Sequence, residues 1–264
     1  MFNEFFDARW HIYPTAEFGD IENVINTLNL LWQGGNAYVM DNHLAAAWCW
    51  LQSCDLSVSY NFLHIDEHSD LHLDTSDGVW GIYEKFLRDT KHDLDSFLSL
   101  SQRDSSFHVF RDNNYIRPIN KLIPQWFKQS YFSYFTPFDI EEYDAKCRSK
   151  EYGGYIGSAR RITCDEMLNL LKVISSGTEN KWIINLDIDY FFNRQIKKKG
   201  TQFIVEFSRL LNLCMHNTQV LTIALSPSYC KDNGTLKNGW NNSIRIFNQV
   251  KEFLPVLSNC SISV

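Results

Sequence analysis

The sequence predicts an α/β protein, a three-layer sandwich in which helices cover both faces of a mostly parallel central sheet, formed by one domain spanning residues 1–264. Three observations predict it. Short apolar runs at Asn36–Met40, Tyr60–Ile65, Lys181–Leu186 and Gln219–Leu225 have strand length and little polar alternation, as strands buried on both faces do. Segments of helical apolar spacing separate them, the rhythm of crossover connections in a parallel sheet. Three of the runs give way to Asp or His, where open α/β sheets carry their chemistry.

Composition sets the outer bounds. A chain of 264 residues, 44% hydrophobic and 15% aromatic, can fill one large core. A net charge of −6 and a pI near 5.7 argue against a general nucleic-acid binder. No run of 18 apolar residues is present, so no membrane-spanning helix is expected. The opening MFNEFFDARW lacks the basic-then-apolar layout of a secretion signal. Seven scattered cysteines form no CxxC pair, which predicts reduced thiols in a cytoplasmic protein, most of them small core residues. Oligomeric state is not fixed by the sequence.

Taken in order, residues 1–35 are aromatic-rich, with a helix expected near Ile21–Trp32 and a break at Gly34-Gly35. The strand at Asn36–Met40 ends in Asp41-Asn42-His43, and LAAAWCWLQ then starts a helix. Tyr60–Ile65 runs into Asp66, His68 and Asp70. Val79–Leu100 has helical spacing, with Phe86, Leu87, Leu94 and Phe97 inward. From about 101 to 157 regularity falls away; residues 115–155 hold eleven aromatics punctuated by Pro118, Pro124 and Pro137. An irregular self-packed insertion and a substrate-binding wall both fit that stretch. The rhythm then resumes: a helix at Thr163–Ser175 with Thr163 and Glu166 in capping-box spacing, the strand Lys181–Leu186, a helix near Gln202–His216, the strand Gln219–Leu225 and a helix at Gly239–Phe253.

Asp66, His68 and Asp70 lie two residues apart, which puts them on one face if the extended chain continues. Chance gives roughly 0.04 occurrences of Asp-x-His-x-Asp at this composition. Asp187-Ile188-Asp189 is weak alone, since Asp-x-Asp arises about 1.4 times by chance, but it ends a buried strand. His43 ends another. Four carboxylates and two imidazoles are too many for one zinc and suit a harder ion such as manganese. Two ions about 3.5–4 Å apart would need bridging carboxylates, and a water held between them becomes a hydroxide near neutral pH. Two divalent cations, four aspartates and that hydroxide sum to about −1, a site that attracts a cationic substrate.

His43, Asp66-Glu67-His68-Ser69-Asp70 and Asp187-Ile188-Asp189 together resemble the ligand set of the ureohydrolases, the arginase, agmatinase and deacetylase superfamily. The resemblance covers residues 36–75 and 180–230. It implies an arginase-like fold in which His43 and Asp70 bind one Mn2+, His68 and Asp189 the other, and Asp66 and Asp187 bridge. Departures accompany it. The arginase Gly-Gly-Asp-His-Ser segment is here Met40-Asp41-Asn42-His43-Leu44. His72 stands where an asparagine holds the free amino acid's carboxylate. The active-site histidine expected between Trp80 and Glu84 is missing, and Leu225-Ser226-Pro227-Ser228 lacks the glutamate that grips guanidinium. FLHIDEHSDLH, with MDNH before it and TIALSP after, is similar to the peptide arginases, which convert arginine to ornithine within ribosomally made precursor peptides. That resemblance implies an arginine-containing precursor peptide as partner.

The expected reaction is metal-assisted hydrolysis of a guanidinium. Asp189, besides binding metal, is expected to carry a proton to the leaving amine, with His72 a second candidate. His72, Trp80 and Ser226 are the candidate substrate contacts. Asp41 is expected to orient His43, and Glu67 to point off the ligand face. Rival readings are a one-zinc amidohydrolase or deacetylase of related fold, a manganese-dependent glycosyltransferase using Asp187 and Asp189, and a metal-stabilised peptide-binding module.

Overall fold

The computed structural model describes residues 7–14, 17, 21, 24–71, 93–100, 110–137, 158–178, 181–232 and 234–262. Eight strands form one sheet: β1 (Ala8–Ile12), β2 (Leu31–Gly34), β3 (Ala37–Met40), β4 (Tyr60–Ile65), β5 (Phe127–Ser133), β6 (Ala159–Arg161), β7 (Trp182–Asp187) and β8 (Thr218–Ala224). Their spatial order is β1-β2-β3-β8-β7-β4-β5-β6. Strands β3, β8, β7, β4, β5 and β6 are mutually parallel, while β1-β2 and β2-β3 pair antiparallel. The protein is therefore α/β with a mostly parallel sheet, as the apolar runs predict, extended by an antiparallel edge that they do not.

Strand alternation divides the core in two. Val39, Leu63, Ile65, Ile184, Leu186 and Ile223 face one way, under α4 (Cys164–Ser176), α6 (Thr201–Cys214) and α7 (Leu236–Lys251). Met40, Phe62, Ile183 and Val220 face the other way, under α1 (Ala46–Ser53), α2 (Leu94–Leu98) and α3 (Ile116–Leu122). Helices on both faces explain why β4 and β7 are buried at every residue. The ends of α4 follow local chemistry: Thr163 Oγ1 accepts from Glu166 N at 3.2 Å, and Glu166 Oε2 accepts from Thr163 N at 2.8 Å. The short α5 (Arg194–Lys199) stops at Gly200, whose φ of 71° is the left-handed turn that lets α6 begin.

Two expectations are corrected. Among the described residues no helix forms near Ile21–Trp32: residues 24–30 are loop and Leu31 opens β2. Asp41 diverts this segment by accepting from the backbone N–H of Asn29 at 3.0 Å and of Leu30 at 3.2 Å, groups a helix would need. The stretch 101–157 is not simply an irregular insertion, because its described part supplies α3 and strand β5 of the central sheet. Pro118 is tolerated in α3 because it sits in the first turn, where N–H groups have no helical acceptor. Residues 101–109 and 138–157 lie outside the described residues, as does most of the helix expected over 79–100, of which Leu94–Leu98 is observed.

Candidate metal centre

Register brings the candidate residues to one edge. Ile65 pairs with Leu186, Asp187 with Ala224, and Met40 with Ala224, so β4, β7, β8 and β3 end level with one another. From β3 the chain enters a 3-10 turn, His43–Ala45, whose start is fixed by Asn42 Oδ1 accepting from Leu44 N at 3.0 Å. From β4 it passes Asp66, His68 and Asp70. From β7 it enters the 3-10 turn Ile188–Phe192, capped by Asp187 Oδ1 accepting from Asp189 N at 2.8 Å. Six predicted ligands from three strand ends therefore meet.

His43 Nε2 lies 3.0 Å from Asp187 Oδ2, 3.4 Å from Asp66 Oδ2 and 3.8 Å from Asp70 Oδ2. His68 Nδ1 lies 3.1 Å from Asp189 Oδ2 and 3.5 Å from Asp66 Oδ1. Two groups of donor atoms result, each compact enough to hold a metal ion: His43 with Asp66 and Asp70, and Asp66 with His68 and Asp189. Asp66 belongs to both. Asp187 stands beside them, its Oδ2 accepting from Ser226 Oγ at 2.5 Å. Backbone amides brace the carboxylates: His68 N donates to Asp66 Oδ1 at 2.7 Å and Glu67 N to Asp189 Oδ1 at 3.1 Å.

The electrostatics call for positive charge. Burial opposes ionisation of Asp66, yet hydrogen bonds from His43 and His68 hold its carboxyl below the usual range. Burial, then repulsion from Asp66, holds Asp70 well above that range; burial with Asp187 and Asp66 does the same to Asp189. Burial disfavours the imidazolium of His68, but Asp189 and Asp66 outweigh it and push the ring up to about 12. Four buried carboxyls share two imidazoles, so not all can ionise without another cation. Asp66 Oδ2, Asp70 Oδ2 and Asp189 Oδ2 are buried without a hydrogen-bond partner. Orphaned acceptors of this kind, oxygen-rich with two imidazoles, fit a hard divalent ion.

A cavity of about 350 Å³ opens over the cluster, with His43, His68, Asp70 and Asp187 on its floor and Asp112, Tyr229 and Ser226 on its walls. Asp70 (φ 50°) and Ser226 (φ 42°) are both left-handed, a strain that collects at functional sites.

Of the other predicted residues, Ser226 reaches the cavity with its hydroxyl committed to Asp187. Glu67 points off the ligand face and accepts from Asn193 Nδ2 at 3.0 Å. Asp41 does not orient His43: its oxygens are taken by Asn29 and Leu30, and burial pushes its carboxyl up to about 7. His72 and Trp80 lie outside the described residues. Sequence reasoning missed Tyr115, whose ring stacks on His43, and the buried pair His64 and Asn185, joined at 3.0 Å beneath Asp66. His64 and Asn185 sit on predicted strands, and a polar residue inside a continuous apolar run was the available signal.

No protein-family model matches the chain, and no curated protein matches it.

Proposed function

We propose that the chain is a dinuclear manganese hydrolase with an arginase-like fold, converting arginine side chains of a peptide to ornithine and urea in the cytoplasm. The observation that carries this reading is the pair of donor groups sharing Asp66. His43 and Asp70 would hold one ion, His68 and Asp189 the other, with Asp66 between them and Asp187 contributing from beside His43. Bound there, the ions would supply Lewis-acid charge and an activated water. The chain's own groups do the rest. Asp189 would pass a proton to the departing amine, with His72 as the second candidate. Asp112 gives the cavity wall a negative charge suited to a guanidinium.

Loss of the free-amino-acid contacts favours a peptide substrate. By the arginase resemblance, His72 takes the place of the asparagine that holds the free amino acid's carboxylate, and an arginine inside a peptide has no free α-amino or α-carboxyl group to bind.

The test is mass spectrometry of arginine-bearing peptides incubated with the protein and manganese. Addition of water and departure of urea lower the mass by about 42 Da per converted site. An unchanged mass from protein carrying two manganese ions would overturn the proposal. Equal kcat/KM for free arginine would remove the peptide substrate alone. The Asp66, His68 and Asp189 group by itself, two aspartates and a histidine, also has the composition of a one-zinc amidohydrolase. Metal stoichiometry separates the two.

A further inference from the structure

We infer that Asn185 is a positioning residue: a hydrogen-bond relay of fixed direction runs from Trp50 through Thr222 to its side chain, and from there to His64, which faces Asp66, and to Tyr115, which stacks on His43. This rests on reading the cluster as a metal centre. The relay crosses the sheet beneath the cavity, and Trp50, Thr222, Asn185, His64 and Tyr115 are all fully buried.

Its direction follows from donor chemistry. An indole N–H can only donate, so Thr222 Oγ1 accepts from Trp50 Nε1 at 3.2 Å. Thr222 then spends its own proton on Asn185 Oδ1 at 2.7 Å. With its oxygen occupied, Asn185 presents both amide protons to the site: one to His64 Nδ1 at 3.0 Å, the other to the Tyr115 hydroxyl at 2.8 Å. A ring whose Nδ1 accepts carries its proton on Nε2. That proton faces the His68 carbonyl at 3.3 Å and Asp66 Oδ2 at 3.7 Å. Tyr115 accepts that second Asn185 proton on its hydroxyl. Its ring meanwhile lies against His43.

One amide thus holds the two side chains, His64 and Tyr115, that stand against Asp66 and His43. With the Trp50 donor fixed, each later step of the relay follows, so the core of the protein sets which His64 nitrogen faces Asp66. The His68 and Asp189 side of the cluster lacks this support among the described residues, being braced by backbone amides and by a histidine side chain that is 37% exposed.

The test compares Thr222→Val with Thr222→Ser in the full chain. Valine keeps the volume and removes the hydroxyl; serine keeps the hydroxyl. Manganese affinity is measured by competitive titration, and the His64 tautomer by long-range ¹H–¹⁵N correlation before metal is added, assigned by its loss in His64→Phe. Partners that orient metal ligands are worth about 10–100-fold in affinity. Acting two residues further out, T222V is expected to lose up to about tenfold and to show a mixed tautomer, while T222S keeps the affinity and the Nε2–H ring. Unchanged affinity with a single tautomer in T222V would overturn the relay. Equal losses in T222V and T222S would overturn it too, reducing Thr222 to packing. Wild-type protein that binds no manganese would end the metal reading instead, and the tautomer comparison would still decide the relay.

Discussion

The ring of Tyr115 lies flat on that of His43, with centroids 4.8 Å apart and planes 15° from parallel. Tyr115 comes from the start of α3 and His43 from the end of β3, so this contact ties the aromatic stretch to the candidate metal centre. The stack and the hydroxyl separate experimentally. Tyr115→Phe keeps the ring but leaves an Asn185 proton unpaired, at a cost of about 1–3 kcal/mol. Tyr115→Leu also loses the aromatic pair, worth about 0.5–1.5 kcal/mol more. Chemical denaturation should rank wild type above Phe above Leu. Equal stability of Phe and Leu variants would show that the stack contributes nothing.

Sharing of Asp66 makes a stoichiometric prediction. Asp66→Asn removes a donor from both groups and Asp70→Asn from one. After dialysis against limiting manganese, elemental analysis should find about two ions per wild-type chain, about one in D70N and almost none in D66N, by the affinity loss that follows a missing ligand. Equal manganese in D66N and D70N would contradict the shared position.

What the sequence revealed and concealed divides along physical lines. Strands β3, β4, β7 and β8 were legible because burial on both faces makes them continuous apolar runs. Strand β5 was not. Its sequence FKQSYFS exposes Lys128 and Gln129 side by side, so it neither alternates nor runs apolar. The expected helix near 21–32 failed for the opposite reason. Ile21, Val24, Leu28 and Leu31 are spaced like a helix face and are all buried, but Asp41, eleven residues on from Leu30, captures the backbone N–H groups. The six ligands were readable because each lies at or just past the end of a strand that is itself a continuous apolar run. Tyr115, His64 and Asn185 act through contacts 70 and 121 residues apart in the chain, which spacing along one segment does not encode.

Asp112 sits in the cavity wall, where burial holds its carboxyl above the usual range and His43 draws it back. A guanidinium entering the cavity would pair with it. Hydrogen bonds to a charged partner are worth about 1.5–3 kcal/mol, or roughly 10–100-fold. Asp112→Asn should therefore raise KM for an arginine peptide by at least about tenfold, leaving kcat within about threefold and manganese content unchanged. A fall in kcat at constant KM would place Asp112 in the chemistry instead.

His11 gives the antiparallel edge a pH dependence. Its Nε2 lies 2.8 Å from Gln33 Oε1, and its ring packs edge-on against Trp48 with centroids 5.1 Å apart. Burial lowers its pKa below 6.5, the Gln33 bond partly restores it, and Arg9 lowers it further. With β1 detached, the ring protonates near 6.5; docked, it resists until lower pH. Docking is therefore fully supported above pH 6.5 and weakens as pH falls through 6.5 toward the depressed value. Hydrogen exchange at Arg9–Ile12 should accelerate over that window relative to Asn185, beyond the intrinsic pH effect on exchange. His11→Gln should remove the excess. A pH-independent β1 would contradict the assignment.

Gly239 lies inside α7, where helix propensity alone predicts that alanine would stabilise by about 1 kcal/mol. Packing predicts the reverse, because an added Cβ would collide with the Pro227 carbonyl. The turn carrying Pro227 has little room to yield. Ser226 N donates to the Asp41 carbonyl at 2.9 Å, Ser226 Oγ binds Asp187, and Cys230 N donates to Pro227 O at 3.3 Å. Overpacking a fixed site costs about 1–3 kcal/mol, enough to outweigh the propensity gain. Gly239→Ala should lower Tm, and by moving Ser226 off Asp187 it should lower turnover of an arginine peptide as well. A raised Tm would mean the turn moves freely, and would remove Gly239 as a support of the candidate metal centre.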